Sequence, residues 1–296
     1  MMDKSAILKR IQANVAQLSA ADDARYRYIP LHRRPTPSVE RVREVMHLLR
    51  AVMFPGFFDE VKEHSLASLP YYIGVYLERI YDLLQEQIYH SLGFEAAEGE
   101  GASRGRASDL TVAFIDRIPH IKYLLSTDVK AILDGDPAAK SVSEIIFCYP
   151  AISALLHQRV AHELFRLGIP VLPRMMTEMA HSLTGIDIHP GAEIGAYFSI
   201  DHGTGVVVGQ TAVIGNHVRL YQGVTLGAKS FTLDDEGLPM DVPRHPIIED
   251  EVTIYSNASV LGRITIGRGS VIGGNIWLTH SVPPGSKIVQ SRAVHE

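Results

Sequence analysis

From residue 188 to residue 278 the aliphatic positions recur six apart: Ile188, Ile194, Ile200, then Val208, Ile214, Leu220, Leu226, then Ile248, Ile254, Val260, Ile266, Ile272 and Leu278. A six-residue period predicts short strands joined by corners. Each coil stacks its aliphatic side chains on the coil below, so a continuous apolar column forms that no coil could bury alone. Gly195, Gly209, Gly215, Gly227, Gly267 and Gly273 follow aliphatic positions, where a corner is expected to use glycine's freedom in φ. An antiparallel β-sandwich also has short, glycine-bounded strands, but at spacings of about 8–12 residues. The strict six over residues 248–278 favours the coil. The period breaks twice. The step from Ile200 to Val208 is 8 and carries Asp201-His202-Gly203-Thr204-Gly205; the step from Leu226 to Ile248 is 22, read as 18 plus 4, and ends in Arg244-His245-Pro246. Interruptions of a regular scaffold are where binding and chemistry are usually placed.

Before about residue 184 the spacing is helical. Residues 38–53 put Val42, Val45, Met46, Leu49 and Met53 on one face, with Ser38 as N-cap after Pro37. Residues 71–91 carry Ile73, Val75, Leu77, Ile80, Leu83, Leu84 and Ile88 over a similar span. Glu95 to Ser108 is polar and small and predicts a loop. Helical spacing resumes over 107–133 and 141–183, broken at Asp134-Gly135-Asp136-Pro137 and at Gly168-Ile169-Pro170. The expected class is α+β: an all-helical domain over residues 1–183, then a hexapeptide-repeat domain over 184–296 that carries a loop at 229–243.

The composition narrows the function. The chain has 296 residues, 46% hydrophobic and 21% charged, with net charge −5. A general nucleic-acid partner is not expected, because it would require a basic face. The start Met1-Met2-Asp3-Lys4-Ser5 has no apolar core, and no stretch approaches the ~20 apolar residues of a membrane span. A cytoplasmic protein without a membrane partner is expected. The one cysteine, Cys148, lies in the run Ile145-Ile146-Phe147-Cys148-Tyr149; a disulfide within the chain is excluded and a buried, inert thiol is expected.

His202 sits in a two-residue bulge flanked by Gly203 and Gly205, where a ligand can approach the backbone. A free imidazole ionises near ~6.5, which suits it to accept a proton at cellular pH. Asp187, at the coil start, could hold its other ring nitrogen. A surface histidine in a tight turn fits the spacing equally well. Arg244 has the planar fork that binds a carboxylate, and His245 could hydrogen-bond the same ligand; both could equally anchor the return of the loop. Asp136-Pro137 reads as a helix-capping turn unless the helical domain brings its carboxylate to the coil. His189-Pro190 reads as a corner with no chemical role.

In order along the chain, Asp187-Ile188-His189-Pro190-Gly191-Ala192-Glu193-Ile194-Gly195, Asp201-His202-Gly203-Thr204-Gly205, Gln222-Gly223-Val224-Thr225-Leu226-Gly227 and Arg244-His245-Pro246 resemble the serine O-acetyltransferases. The similarity covers roughly residues 107–285 and includes Asp136-Pro137. It implies a left-handed parallel β-helix, a homotrimer or dimer of trimers, and an active site between neighbouring coils. It implies His202 as general base oriented by Asp187, Asp136 and Asp201 on the serine ammonium, and Arg244 on its carboxylate with His245 beside it. Acetyl-CoA, the co-substrate, would lie near Gly227, Ala228, Ser256 and Gly274. No tightly bound cofactor and no metal are expected, and the acetyl group would pass directly to the hydroxyl of L-serine.

The chain departs from the family at four places. Lys229–Pro243 replaces a shorter glycine-rich loop, and Tyr255 and Gly274-Asn275-Ile276-Trp277 stand where smaller residues are common. The chain ends Val294-His295-Glu296 without the C-terminal isoleucine through which family members dock into the sulfhydrylase, so that docking is not expected. A different hydroxyl acceptor such as homoserine, and a non-catalytic scaffold, are the competing readings. A zinc site like that of γ-type carbonic anhydrases needs ligands five residues apart, which the coil histidines at 189, 202, 217, 245, 280 and 295 do not supply.

Overall fold

Where the aliphatic spacing is helical, the chain is helical. The computed structural model of the chain describes residues 3–19, 35–58, 67–94 and 100–290, and falls into two compact units, Met1–Arg34 and Pro35–Glu296. The first holds helix α1 (Lys4–Ser19). In the second, α2 (Val39–Met53) starts where Ser38 Oγ accepts from the Arg41 amide, and it buries Val42, Val45, Met46, Leu49 and Met53. These side chains pack within the chain and are not free to join copies together. Helices α3 (Leu69–Ser91), α4 (Glu100–Ile115), α5 (Ile118–Gly135), α6 (Val142–Cys148), α7 (Pro150–Arg166) and α8 (Leu172–Thr184) follow.

Two expectations fail here. The part of the predicted loop from Glu100 to Ser108 is helical; residues 95–99 lie outside the described residues. Buried Ser103, Ala107 and Thr111 are small enough for α4 to close on α3, and Tyr81 Oη and Ser108 Oγ share a hydrogen bond at 2.8 Å. Tertiary packing has overridden a weak local helix signal. Cys148 is exposed rather than buried, because α6 is short and turns only Ile145 and Ile146 inward.

From Asp187 onward the chain winds as a parallel β-solenoid of about five turns. Its strands form three faces: Asp187–Ile188, Val207–Val208, Thr225–Gly227, Ser259–Leu261 and Trp277–Leu278 on the first; Glu193–Ile194, Val213–Ile214, Ile247–Ile248 and Thr265–Ile266 on the second; Ser199–Asp201, Arg219–Tyr221, Thr253–Ile254, Val271–Ile272 and Lys287–Ile288 on the third. Every pairing between these strands is parallel, so the sandwich alternative falls. The periodic aliphatic residues stack in register, as in Ile188–Val208–Leu226–Val260–Leu278. A second inward column, including Ala192, Phe198, Val206, Ala212, Val218, Val224, Val252 and Ala258, is fully buried.

The register corrects the second interruption. Leu226 stacks on Val208, on the first face, and Ile248 on Ile214, on the second. No complete coil lies between them: a corner that takes six residues from Val208 to Ile214 takes 22 from Leu226 to Ile248. Lys229–Pro243 is therefore inserted into a single corner.

The repeat glycines meet a different need from the expected one. None of the six glycines that follow the aliphatic positions has positive φ. They are needed for close stacking: a Cβ on Gly195 would stand 2.7 Å from the Gly215 carbonyl, and one on Gly267 would stand 2.3 Å from the Pro284 nitrogen. Positive φ falls on other corner residues, including Tyr197, His202, Asn257 and Asn275.

The helices meet the first coil through a buried ion pair. Arg159 on α7 donates to both Asp128 oxygens on α5 at 2.7 Å and to the Ile194 and Gly195 carbonyls, while Asp128 accepts from the Phe198 amide. Removing one member would strand a buried charge, at a typical cost of about 3–5 kcal/mol. The pair sets where the C-terminus of α5 lies against the coil.

Candidate active site

The first interruption is a corner of unusual backbone. His202 has φ 58, and Gly203 and Gly205 have φ 94 and 79. A histidine in the left-handed region is strained by about 1–3 kcal/mol and persists only where its surroundings hold it. Its side chain is 74% exposed, and Nε2 lies 3.8 Å from Asp201 Oδ1. Imidazole and carboxylate thus face outward side by side.

The end of α5 supplies a second carboxylate. Asp136, its C-cap, shares a small pocket with Asp201, Tyr149, Ser199 and Arg219. Tyr149 Oη donates to Asp136 Oδ2 at 2.6 Å, the Ala138 amide donates to Oδ1 at 2.8 Å, and Arg219 Nη1 donates to the Gly135 carbonyl at 2.9 Å. The Tyr149 hydroxyl, then the Ala138 amide, and more weakly His202 and Arg219 hold the Asp136 carboxyl below its usual range. The same bond pushes Tyr149 up to about 12. The structure therefore brings Asp136, Asp201 and His202 together. The capping reading of Asp136 holds too: its backbone amide closes α5 on the Ile132 carbonyl while its carboxylate faces the coil.

Asp187 stands apart from that pairing. It makes no hydrogen bond or ion pair with His202 among the described residues, and its carboxylate lies within 4.8 Å of ligating atoms of Glu178 and His181 on α8.

Arg244 and His245 close the long loop at a different corner. The Arg244 and His245 amides both donate to Thr211 Oγ1, at 2.9 and 3.1 Å. Arg244 Nη2 donates to Gln210 Oε1 at 2.9 Å, and Nη1 reaches Asp241 and the Val242 carbonyl. The Thr211 amide donates to His245 Nδ1 at 3.1 Å, which leaves the ring proton on Nε2 when the imidazole is neutral. Burial first, then Arg244 and Arg263, pushes His245 down to about 4. Its ring lies on Gly209, where a Cβ would stand 2.0 Å from Nε2. Anchoring of the loop is thus visible for both residues.

The residues expected near acetyl-CoA divide between the same two corners. Ser256 and Gly274 stack above the His202 corner, where the Asn275 amide donates to the Ser256 carbonyl at 2.9 Å. Gly227 and Ala228 open the loop corner. One side of a coil separates the corners, and at about 3.3 Å per residue over five or six residues that is roughly 15–20 Å. Sequence reasoning missed Tyr149, Arg219, Thr211 and Arg263; their partners lie 13 to 84 residues away and no local pattern marks them.

Parallel coils of hexapeptide repeats with a histidine and carboxylates at an open corner define an acyltransferase of the solenoid class. No family model matches the chain. The plasmid serine acetyltransferase of Synechococcus elongatus is 52% identical over 265 residues, covering 87% of this chain and 83% of its own length. Serine acetyltransferase isoform 3 of Entamoeba histolytica, solved with cysteine, matches with a TM-score of 0.71 and 32% identity over 99% of this chain and 95% of that one. The Neisseria gonorrhoeae enzyme, solved with serine, matches with a TM-score of 0.55 and 26% identity over 85% of this chain and 97% of that one. The chain belongs to the serine acetyltransferase family.

Proposed function

We propose that this chain transfers the acetyl group of acetyl-CoA to the hydroxyl of L-serine, at a site shared by the His202 corner of one copy and the Arg244 corner of a neighbour. The observation that carries this reading is the grouping of His202 with two outward carboxylates, Asp136 and Asp201. A base beside two anions suits a hydroxyl acceptor that also bears an ammonium. The serine carboxylate needs a cation, and Arg244 is built for one. Arg244 stands one side of the coil away, and a molecule as small as serine cannot span that gap within a single chain. A second copy, packed corner to corner, supplies it, and the acetyl-CoA residues divide in the same way.

In that site Asp136 and Asp201 hold the ammonium, Arg244 takes the carboxylate, and His245 Nε2–H is free to donate beside it. His202 removes the hydroxyl proton as the serine oxygen attacks the thioester carbon. The C–S bond breaks from the tetrahedral intermediate, and protonated His202 returns the proton to the departing coenzyme A sulfur. A thioester already has a good leaving group, so no covalent enzyme intermediate is needed. Asp187 orients His202 once the corner is enclosed by the neighbouring copy. Lys229–Pro243 folds as a small hairpin, with Leu233 and Pro239 bridged and Asp234 Oδ1 accepting two amides, and covers the bound amino acid.

The test is steady-state kinetics of His202→Ala with a panel of hydroxyl amino acids. Loss of such a base lowers kcat about 10²–10⁴-fold, with an unchanged melting temperature because His202 is exposed. Near-normal turnover in the folded variant overturns the mechanism. A preference for homoserine over serine in the parent chain overturns the acceptor.

A further inference from the structure

Glu178 and His181, the neighbours of Asp187, take no part in the proposed chemistry, and with Asp187 they make up the donor set of a metal site. We propose that Glu178, His181 and Asp187 bind a late first-row divalent cation such as Zn²⁺. A bound cation restrains catalysis by withdrawing Asp187 from His202; that consequence rests on the role given to Asp187 above.

Glu178 and His181 are three apart in the last turns of α8 and share one face of the helix. Glu178 Oε2 and His181 Nδ1 are 3.2 Å apart. In a tetrahedral site with ligand bonds of about 2.0–2.1 Å, ligand atoms stand roughly 3.4 Å from one another. Arg174 engages the other Glu178 oxygen and orients the carboxylate with Oε2 toward the histidine. The helix then reverses at Gly185, φ 71, whose amide donates to the His181 carbonyl at 2.8 Å. Thr184 Oγ1 donates to the Ala180 carbonyl and accepts from the Ile186 amide. Asp187, fixed by its own amide on the Val206 carbonyl, is thereby brought back alongside the turn it has just left.

All three ligating atoms lie within 4.8 Å of one another, so a cation that drew the Asp187 carboxylate toward the other two would have all three as ligands. An imidazole with two carboxylates selects zinc and its neighbours over Mg²⁺ or Ca²⁺, which prefer all-oxygen sets. Three protein ligands leave one position for water.

The experiment uses tag-free protein washed with a chelator and titrated with ZnCl₂ by calorimetry, beside Glu178→Gln and His181→Asn. The expected result is one ion per chain, affinity at least 10-fold weaker in each variant, and no binding of Mg²⁺ at the same concentration. No zinc binding by the parent chain, or equal affinity in parent and variants, overturns the site. The same samples are assayed for acetyl transfer: saturating Zn²⁺ should lower kcat of the parent at least 10-fold, reversibly with chelator, and leave His181→Asn little affected. Zinc bound through these residues with kcat unchanged would uphold the site and overturn Asp187 as the group that orients His202.

Discussion

In the proposed site Asp136 attracts the serine ammonium, and Tyr149 holds its carboxylate in place. The Tyr149 hydroxyl gives up its own acidity, moving to about 12, in order to hold the aspartate carboxyl low. Tyr149→Phe removes the bond and little volume. A hydrogen bond to a charged group is worth about 1.5–3 kcal/mol, so KM for serine should rise about 10-fold or more while KM for acetyl-CoA and kcat change little. Equal rises in both Michaelis constants would show instead that α6 and α7 had shifted. Asp136 entered the sequence reading through family resemblance, because its Asp-Pro pair looks like any helix cap. Tyr149 did not enter at all, since only the packing of α6 and α7 against the end of α5 reveals its partner. His202 was legible because two glycines close behind a histidine mark an open corner, although its positive φ was not foreseen.

At the scale of the corner, two neutral histidines share the site of the long loop's return. Burial first, then Arg174, His245 and Arg244, pushes His189 down to about 4, and its Nδ1 accepts from the Gly191 amide at 3.0 Å. His245 is pushed equally low. In the unfolded chain both ionise near ~6.5. Between pH 6.5 and 4 the unfolded state binds the extra protons, so the contribution of both residues is present above pH 6.5 and is lost as pH falls toward 4. The melting temperature should therefore drop over that range, and drop less steeply in His189→Asn and His245→Asn, as differential scanning fluorimetry across pH 4–8 would show. Parallel profiles in all three proteins would remove the histidines as its cause. The hexapeptide faces were readable because their period is dictated by stacking. The reason for the glycines was misread, because contact with the next coil is a three-dimensional constraint that looks identical in sequence to a need for positive φ. The long interruption was misdivided for a similar reason: residue counts do not say which face the chain returns to.

At the scale of the molecule, the proposed site divides between two corners of one chain. On that proposal, cyclic packing of identical copies would bring each His202 corner to a neighbour's Arg244 corner and leave none unmatched. Light scattering should give a mass that is a multiple of three times the 32.6 kDa of one chain, and activity should fall as the assembly is diluted to dissociation. A fully active monomer would disprove the shared site. No helix among the described residues is long and apolar enough to cross a membrane.

The inserted corner at Lys229–Pro243 has one more consequence. Arg263, from the next coil, donates to the Thr211 and His245 carbonyls, and Thr211, from the coil before, receives the returning strand. The coils on either side thus pin the exit of the loop, and the phase of everything downstream is independent of how much chain lies between. The scaffold is insensitive to contour length at this one point. Insertions and deletions are tolerated there without disturbing the coils on either side, so the length of this one loop can vary while the scaffold stays fixed.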